Sequence, residues 1–137
     1  MSVDNIFVVL GNQLFHPNFL KEKNCNHVFM AEDFGLCTYQ KHHKLKIYLF
    51  LCAMREYREE LERKKIAVSY FTLNEREDEL TYCDFLIQFC TEKNVKKINL
   101  LQKNKYVNLA IHKHVIYIRF LMQCIKCITK KRTWTIQ

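Results

Sequence analysis

Glycine and proline are scarce in this sequence, with 2 Gly and 1 Pro among 137 residues. Few linker or turn signals are therefore available, and composition indicates one compact unit. A secretory signal is also missing, because residues 1–5 lack a basic region ahead of the first apolar run. The most apolar late segment, residues 115–128, contains Arg119, Gln123 and Lys126 and is shorter than the roughly 20 residues that span a bilayer. These absences predict a soluble, cytoplasmic protein with no membrane partner.

Acidic residues are missing from the last third of the chain. All 14 Asp and Glu lie at or before Glu92, whereas 11 of the 22 Lys and Arg follow it. Residues 93–137 thus carry a formal charge of +11 and residues 1–92 carry −3. This asymmetry indicates a polyanion partner or an unusual carboxyl end, and an ordinary solvated surface accounts for it equally well. An apolar content of 49% excludes a disordered chain.

The cysteine pattern does not support a disulfide framework. The count of 7 is odd, which fits free thiols in a reducing compartment. Cys83 and Cys90 lie seven residues apart on one helix face, which is typical of core residues. Cys124 and Cys127 form a lone Cys-x-x-Cys, whereas zinc sites usually need four ligands. We therefore predict that these cysteines form no metal site and no redox pair.

Short apolar runs alternate with helical patterns. Four runs are typical of strands buried on both faces: residues 6–10, 27–31, 66–71 and 95–101. An apolar stripe spaced by three and four predicts a helix over residues 43–64, and Thr81 with Asp84 predicts the start of another that ends near Asn94. Further on, the pattern allows a helix over 106–112 and a strand over 115–120. Alternating strands and helices predict a three-layer α/β, Rossmann-like fold with a parallel sheet of four or five strands.

The polar face of the long predicted helix carries opposite charges four residues apart, which predicts ion pairs that support the helix. These pairs are Arg55 with Glu59, Arg58 with Glu62, Glu59 with Arg63, and Glu60 with Lys64. At the amino-terminal end of the same helix, residues 41–44 are Lys-His-His-Lys, and cations there oppose the helix dipole. Their placement indicates an anionic or electron-rich partner, and screening by solvent is the alternative.

Several segments resemble one known family. Residues 9–14 are Val-Leu-Gly-Asn-Gln-Leu, residues 29–33 are Phe-Met-Ala-Glu-Asp, and residues 41–47 are Lys-His-His-Lys-Leu-Lys-Ile. Together with Thr38-Tyr39 and Ala53-Met54-Arg55, they are similar to the amino-terminal domain of deoxyribodipyrimidine photolyase-related proteins, in the cryptochrome and photolyase superfamily. The resemblance runs to about Tyr106.

The resemblance implies a strand order of 3-2-1-4-5 and a division into residues 1–106, the photolyase-related α/β domain, and residues 107–137, a basic segment that is diverged or truncated. In the family, light-dependent DNA repair needs FAD and an iron-sulfur cluster held by a carboxyl-terminal helical domain. This chain has no room for that domain, so it is expected to hold neither cofactor and not to be catalytic alone. A separate helical flavin-binding domain or chain is the implied partner. A small basic module that binds nucleic acid by phosphate contacts, or that binds a protein, is the alternative.

Polar residues lie where the predicted strands end, at the edge of the sheet where α/β folds form their ligand crevice. The resemblance makes these an antenna crevice for a lumazine or flavin chromophore, with hydrogen bonds from Asn12 and Gln13 and a ring edge oriented by Glu32. In relatives, Asp typically occupies the position of Asn12, and an acidic residue that contacts the chromophore occupies the position of Leu36. The alternatives are turn chemistry, an ion pair from Glu32 or Asp33 to a lysine, and histidines that cap strand ends. The candidate residues are Gly11, Asn12, Gln13, Glu32, Lys41, His42 and His43.

Overall fold

In the described part of the chain, a five-stranded sheet lies between two layers of helices. The computed structural model describes residues 3–11, 13–25, 27–38, 41–75, 80–102 and 105–110. A short 3-10 helix, Leu73–Glu75, follows the third strand. The other elements are, in chain order, β1 (Asn5–Val8), α1 (Asn18–Glu22), β2 (His27–Ala31), α2 (Phe34–Thr38), α3 (Lys44–Arg63), β3 (Ala67–Phe71), α4 (Tyr82–Glu92), β4 (Lys97–Gln102) and β5 (Lys105–Ala110).

The strand order is β3-β2-β1-β4-β5, as predicted. The first four strands in this order run parallel, which confirms the Rossmann-like α/β fold. β5 pairs antiparallel with β4, from Lys97 opposite Ala110 to Gln102 opposite Lys105. The parallel prediction thus holds for four strands, and the fifth extends the sheet in the opposite direction.

Both faces of the central strands are buried, which explains their unbroken apolar sequences. Alternate residues point to opposite faces. On one face Ile6 and Phe29 pack with α4, and on the other Phe7 and Met30 pack with α1 and α3. The buried part of α3 includes Met54 and two further members of the predicted stripe, Tyr57 and Leu61. Cys83 and Cys90 belong to the core beneath α4, as predicted.

The long helices begin and end with local hydrogen bonds. Thr81 Oγ1 accepts from the Asp84 amide at 3.2 Å, which confirms the predicted start of α4. With so few glycines, α1, α3 and α4 are each followed by a left-handed residue with a side chain: Asn24, Lys65 and Asn94, with φ of 51°, 59° and 51°. The next amide reaches back to the helix, from Ile66 to the Leu61 carbonyl at 3.0 Å in the case of α3. Each turn delivers the chain into the following strand.

The prediction of a helix over residues 106–112 is wrong, because residues 105–110 form β5. The parallel part of the sheet leaves one edge of β4 with unpaired amide and carbonyl groups, and pairing with that edge outweighs the local helical pattern. β5 crosses the boundary placed between residues 106 and 107, which stays a prediction. The predicted strand over 115–120 and the Cys124 and Cys127 pair lie outside the described residues. Among the described residues, no helix is both long enough and apolar enough to cross a membrane.

Lys65 offers a direct test of these helix ends. Its side chain is exposed and its backbone is left-handed, a conformation that costs a non-glycine residue about 1 kcal/mol. Lys65→Gly should therefore raise the free energy of unfolding by about 0.5–1 kcal/mol in urea denaturation. Lys64→Gly is the matched control, since Lys64 has a φ of −86° and gains nothing from glycine. An equal change in both variants would contradict this account of the turn.

Candidate functional site at the carboxyl ends of the strands

The candidate residues follow β1 and β2, whose carboxyl ends meet at one edge of the sheet. Gly11 and Gln13 come after β1, and Glu32 comes directly after β2. β1 lies between β2 and β4, so its two neighbours lead to connections in opposite directions. Such a reversal in strand order is where open α/β sheets form a crevice. Asn12 lies outside the described residues.

Gly11 is buried against α3. A Cβ added to Gly11 would lie 2.5 Å from Cε1 of Phe50 and 2.6 Å from the sulfur of Met54. Distances this short leave no space for a side chain, so glycine is what lets the helix approach the end of β1. The close approach predicted for a ligand at this position is made here by α3.

Gln13 spans the two strands at the reversal. Its Nε2 donates a hydrogen bond of 2.9 Å to the carbonyl of Leu101 in β4. Its Oε1 is buried and has no hydrogen-bond partner in the described part of the chain. A buried amide oxygen without a donor is costly, so Oε1 is an acceptor that the described residues leave unsatisfied at the strand reversal.

Glu32 is fully buried and its carboxylate accepts four hydrogen bonds. Arg55 of α3 contributes two, from Nε to Oε1 at 2.7 Å and from Nη2 to Oε2 at 3.2 Å. The Tyr70 hydroxyl donates to Oε1 at 2.7 Å, and the Leu73 amide donates to Oε2 at 3.0 Å. These donors match the four acceptor positions of a carboxylate, so Glu32 joins β2, β3 and α3.

The electrostatics of this cluster favour the charged carboxylate. Burial alone would raise the pKa of Glu32, but the hydrogen bonds from Arg55, Tyr70 and the Leu73 amide together lower it below its ordinary value. Burial, followed by the hydrogen bond to Glu32, raises the pKa of Tyr70, so the phenol stays protonated and keeps donating. Cys37 is nearby, and burial together with the negative charges of Asp33 and Glu32 raises the pKa of its thiol. A protonated, buried thiol is a poor nucleophile.

The cations of the candidate site lie at the start of α3. His43 caps the helix, with Nδ1 accepting from the Leu45 amide at 3.2 Å. Lys41, Lys44 and Lys46 are exposed and His42 is half-buried. By the rise of the helix, the cap lies about 10 Å from the turn of α3 that covers Gly11.

Arg55 and Tyr70 were not identified from the sequence as partners of Glu32. Arg55 was predicted to pair with Glu59, but it pairs with Glu32, and Tyr70 was predicted only as part of a strand. Of the other predicted helix pairs, Arg58 with Glu62 and Lys64 with Glu60 are present, at 3.8 Å and 3.2 Å. The signal for Arg55 was available, because a carboxylate directly after a buried strand needs a donor from the helix that covers it.

A family model for deoxyribodipyrimidine photo-lyase-related protein matches residues 7–120 of the 137. The match covers well over half of the sequence and includes the ends of β1 and β2, α3 and the Glu32 cluster. The chain belongs to this photolyase-related family. The resemblance found in the sequence is thereby confirmed, and the match extends beyond Tyr106. A comparison with curated proteins finds no match.

In this photolyase-related chain, no group of three or more His, Cys, Asp or Glu within the described residues is arranged to hold a metal ion. The polar groups at the carboxyl ends divide into two sets. Gly11 and Glu32 are occupied by contacts with α3. Gln13 and the cations before α3 keep groups that a ligand could contact.

Removing Arg55 should test the Glu32 cluster. Arg55→Ala leaves a buried carboxylate without its cation, so the free energy of unfolding should fall by about 3 kcal/mol at pH 7. Because the folded-state pKa of Glu32 is lowered, its stabilisation is present above about pH 4.5 and is lost as pH falls through the folded value. The difference in free energy of unfolding between wild type and variant should therefore decrease below about pH 4.5.

Arg63→Ala is the control, since Arg63 is an exposed arginine in the last turn of the same helix. It should change the free energy of unfolding by less than about 0.5 kcal/mol at every pH. Urea denaturation at pH 7, 4.5 and 3 measures both variants. If Arg55→Ala lowered the free energy of unfolding by the same amount at all three pH values, the role given to the ionised Glu32 would be refuted.

Proposed function

We propose that this chain is an antenna-type domain of a photolyase-related protein and is not catalytic alone. Membership of the family supports the domain type, and the described α/β fold fits the amino-terminal domain of such a protein. Light-dependent repair would then require a separate helical flavin-binding domain or chain, which would hold FAD and the iron-sulfur cluster. The observation that carries the antenna role is the unpartnered Oε1 of Gln13 at the strand reversal.

The crevice beside Gln13 suits the polar edge of a small aromatic ring. Gln13 Oε1 can accept a hydrogen bond from a ring N–H or a ribityl hydroxyl, while Nε2 stays on the Leu101 carbonyl. Glu32 has no acceptor position left for such a ring, and α3 fills the space in front of Gly11. Of the predicted contacts we therefore assign Gln13 to the ligand and Glu32 and Gly11 to the support of the site.

The cations before α3 have a different role in this proposal. Lys41 and His42 would contact a phosphate or carbonyl group of the chromophore, or a helical flavin-binding domain. A bound antenna chromophore supplies light absorption, and this chain supplies position and hydrogen bonds. His43 is already engaged in capping α3 and would contribute only through its exposed edge.

Titration with a ribityl-lumazine tests the antenna role. We expect saturable binding to the purified chain, which itself should show no flavin or iron-sulfur absorption. Gln13→Leu should weaken binding about tenfold, because one hydrogen bond of about 1.4 kcal/mol is lost. His42→Ala should weaken it less. Fluorescence of the lumazine measures the dissociation constant, and thermal melts check that each variant folds.

Gln88→Leu is the matched control, since Gln88 is exposed on α4. It should bind the lumazine as the wild type does. Absence of binding at about 1 mM ligand, near −4 kcal/mol, would reject an antenna function for this chain.

A second candidate function is nucleic-acid binding through phosphate contacts. Lys41, Lys44 and Lys46 are exposed within six residues, which favours a polyanion as the partner. Affinity for duplex DNA should then fall steeply with salt, by a slope of about −0.9 in log K per phosphate contacted. Replacing all three lysines by Gln should reduce that slope by up to about 3, whereas Lys65→Gln at the far end of α3 should reduce it by no more than about 1. An affinity independent of salt would eliminate this candidate.

A further inference from the structure

Helix α3 is apolar on two sides. Its inner side packs on the sheet, but its first half also presents large apolar side chains to solvent. Leu45, Tyr48 and Leu49 are 60%, 65% and 66% exposed, and Cys52 is exposed one turn further on. These four residues are spaced by three and four, so they form one strip about 10 Å long, here called the outer face.

A strip of this kind differs from ordinary exposed apolar residues. Scattered single residues need no explanation, whereas contiguous large side chains indicate a surface that another molecule covers. The charges around the outer face indicate which molecule. Lys41 and Lys44 lie at its amino-terminal end, where the helix dipole is also positive. Glu56 is exposed one turn beyond Cys52, on the same side of the helix.

The outer face is therefore complementary to itself. It has an apolar centre, cations at one end and the Glu56 carboxylate at the other, where the charge of the half-exposed Arg55 is paired with Glu32. Reversing the direction of a second α3 matches each end with its opposite, as a two-fold symmetric interface requires. Separate proteins with an acidic amphipathic helix would also fit, but a second copy needs no feature beyond those in α3.

We propose that two copies of this chain associate through antiparallel contact of their outer faces. The centre of the strip lies between Tyr48 and Leu49. A two-fold axis at that point places Leu45 opposite Cys52 of the second copy and Tyr48 opposite its Leu49. The same symmetry brings Glu56 of the second copy to the start of α3, beside Lys41 and Lys44. This carboxylate would give Lys41 and Lys44 an anionic partner.

The association should be weak. A single helix face covers less than the roughly 800 Å² per partner of a standard interface. The apolar centre supplies most of the attraction, and the charges at the two ends fix the antiparallel direction. The proposal does not depend on the antenna function, because the outer face points away from the sheet and from Gly11.

Sedimentation velocity of the full chain under reducing conditions, over a range of concentrations, tests the association. The wild type should show a reversible monomer and dimer. Leu49→Glu should raise the dimer dissociation constant at least about tenfold. Its melting temperature at low concentration should be unchanged, since Leu49 is exposed in the monomer. A chain that stays monomeric up to about 1 mM, or a dimer that Leu49→Glu leaves intact, would overturn the proposal.

A charge exchange tests the antiparallel direction. Lys44→Glu and Glu56→Lys should each raise the dissociation constant about fivefold, because each removes an ion pair at both ends of the dimer. The double variant restores the opposite charges and should return to within about twofold of the wild type. Failure of the double variant to recover would exclude the proposed pairing.

A disulfide provides a second, independent measurement. Leu45→Cys places a thiol opposite Cys52 of the second copy, so oxidation with diamide should give a covalent dimer on a non-reducing gel. Adding Cys52→Ser to that variant should abolish the dimer. In the wild type, Cys52 should form no disulfide with Cys52 of the second copy, because about seven residues of helix separate these two cysteines along the axis. Equal cross-linking of all three proteins would refute the geometry.

Discussion

The buried carboxylate of Glu32 is the constraint on which the arrangement of this domain depends. A buried charge without partners costs several kcal/mol, and four donors from three elements meet that cost here. Since Arg55 belongs to α3 and Tyr70 to β3, satisfying the charge fixes where the helix lies over the sheet. With α3 held there, the side chains of Phe50 and Met54 pack against Gly11 at the end of β1, and a larger residue at that position would have to displace them.

This support has a consequence for binding. Interactions that hold α3 in place also use the groups that the sequence offered to a ligand, because Glu32 is saturated and Gly11 is covered. Among the described residues of the strand reversal, the Gln13 amide has one end bonded to Leu101 and the other unpaired. In the proposed antenna function, this oxygen would be the hydrogen-bond acceptor for the chromophore.

Which features could be predicted from the sequence depends on how far apart in the chain the interacting residues lie. The parallel strands and α3 could be predicted from the residues, because buried runs and three-four spacing are local patterns. The strand order was implied by the family resemblance. The partner of Arg55 was missed, because the four-residue rule considers only neighbours on the helix, whereas Glu32 lies 23 positions away. The signal that could have indicated it was the carboxylate directly after a buried strand. β5 was read as a helix for a related reason. Its conformation is decided by the open edge of β4, which no local pattern around Tyr106 reveals.

The two sides of α3 explain why its amino-terminal half departs from the usual amphipathic pattern. The inner side satisfies the sheet, and a helix needed only for that purpose would carry polar residues at Leu45, Tyr48 and Leu49. Cations at the start of α3 are likewise unfavourable for the isolated helix. Both departures lie at the same end of the same element, and an antiparallel contact accounts for them together, because it buries the strip and brings a carboxylate to the cations. A polyanion would neutralise the lysines but would leave the strip exposed, so it explains only one of the two features.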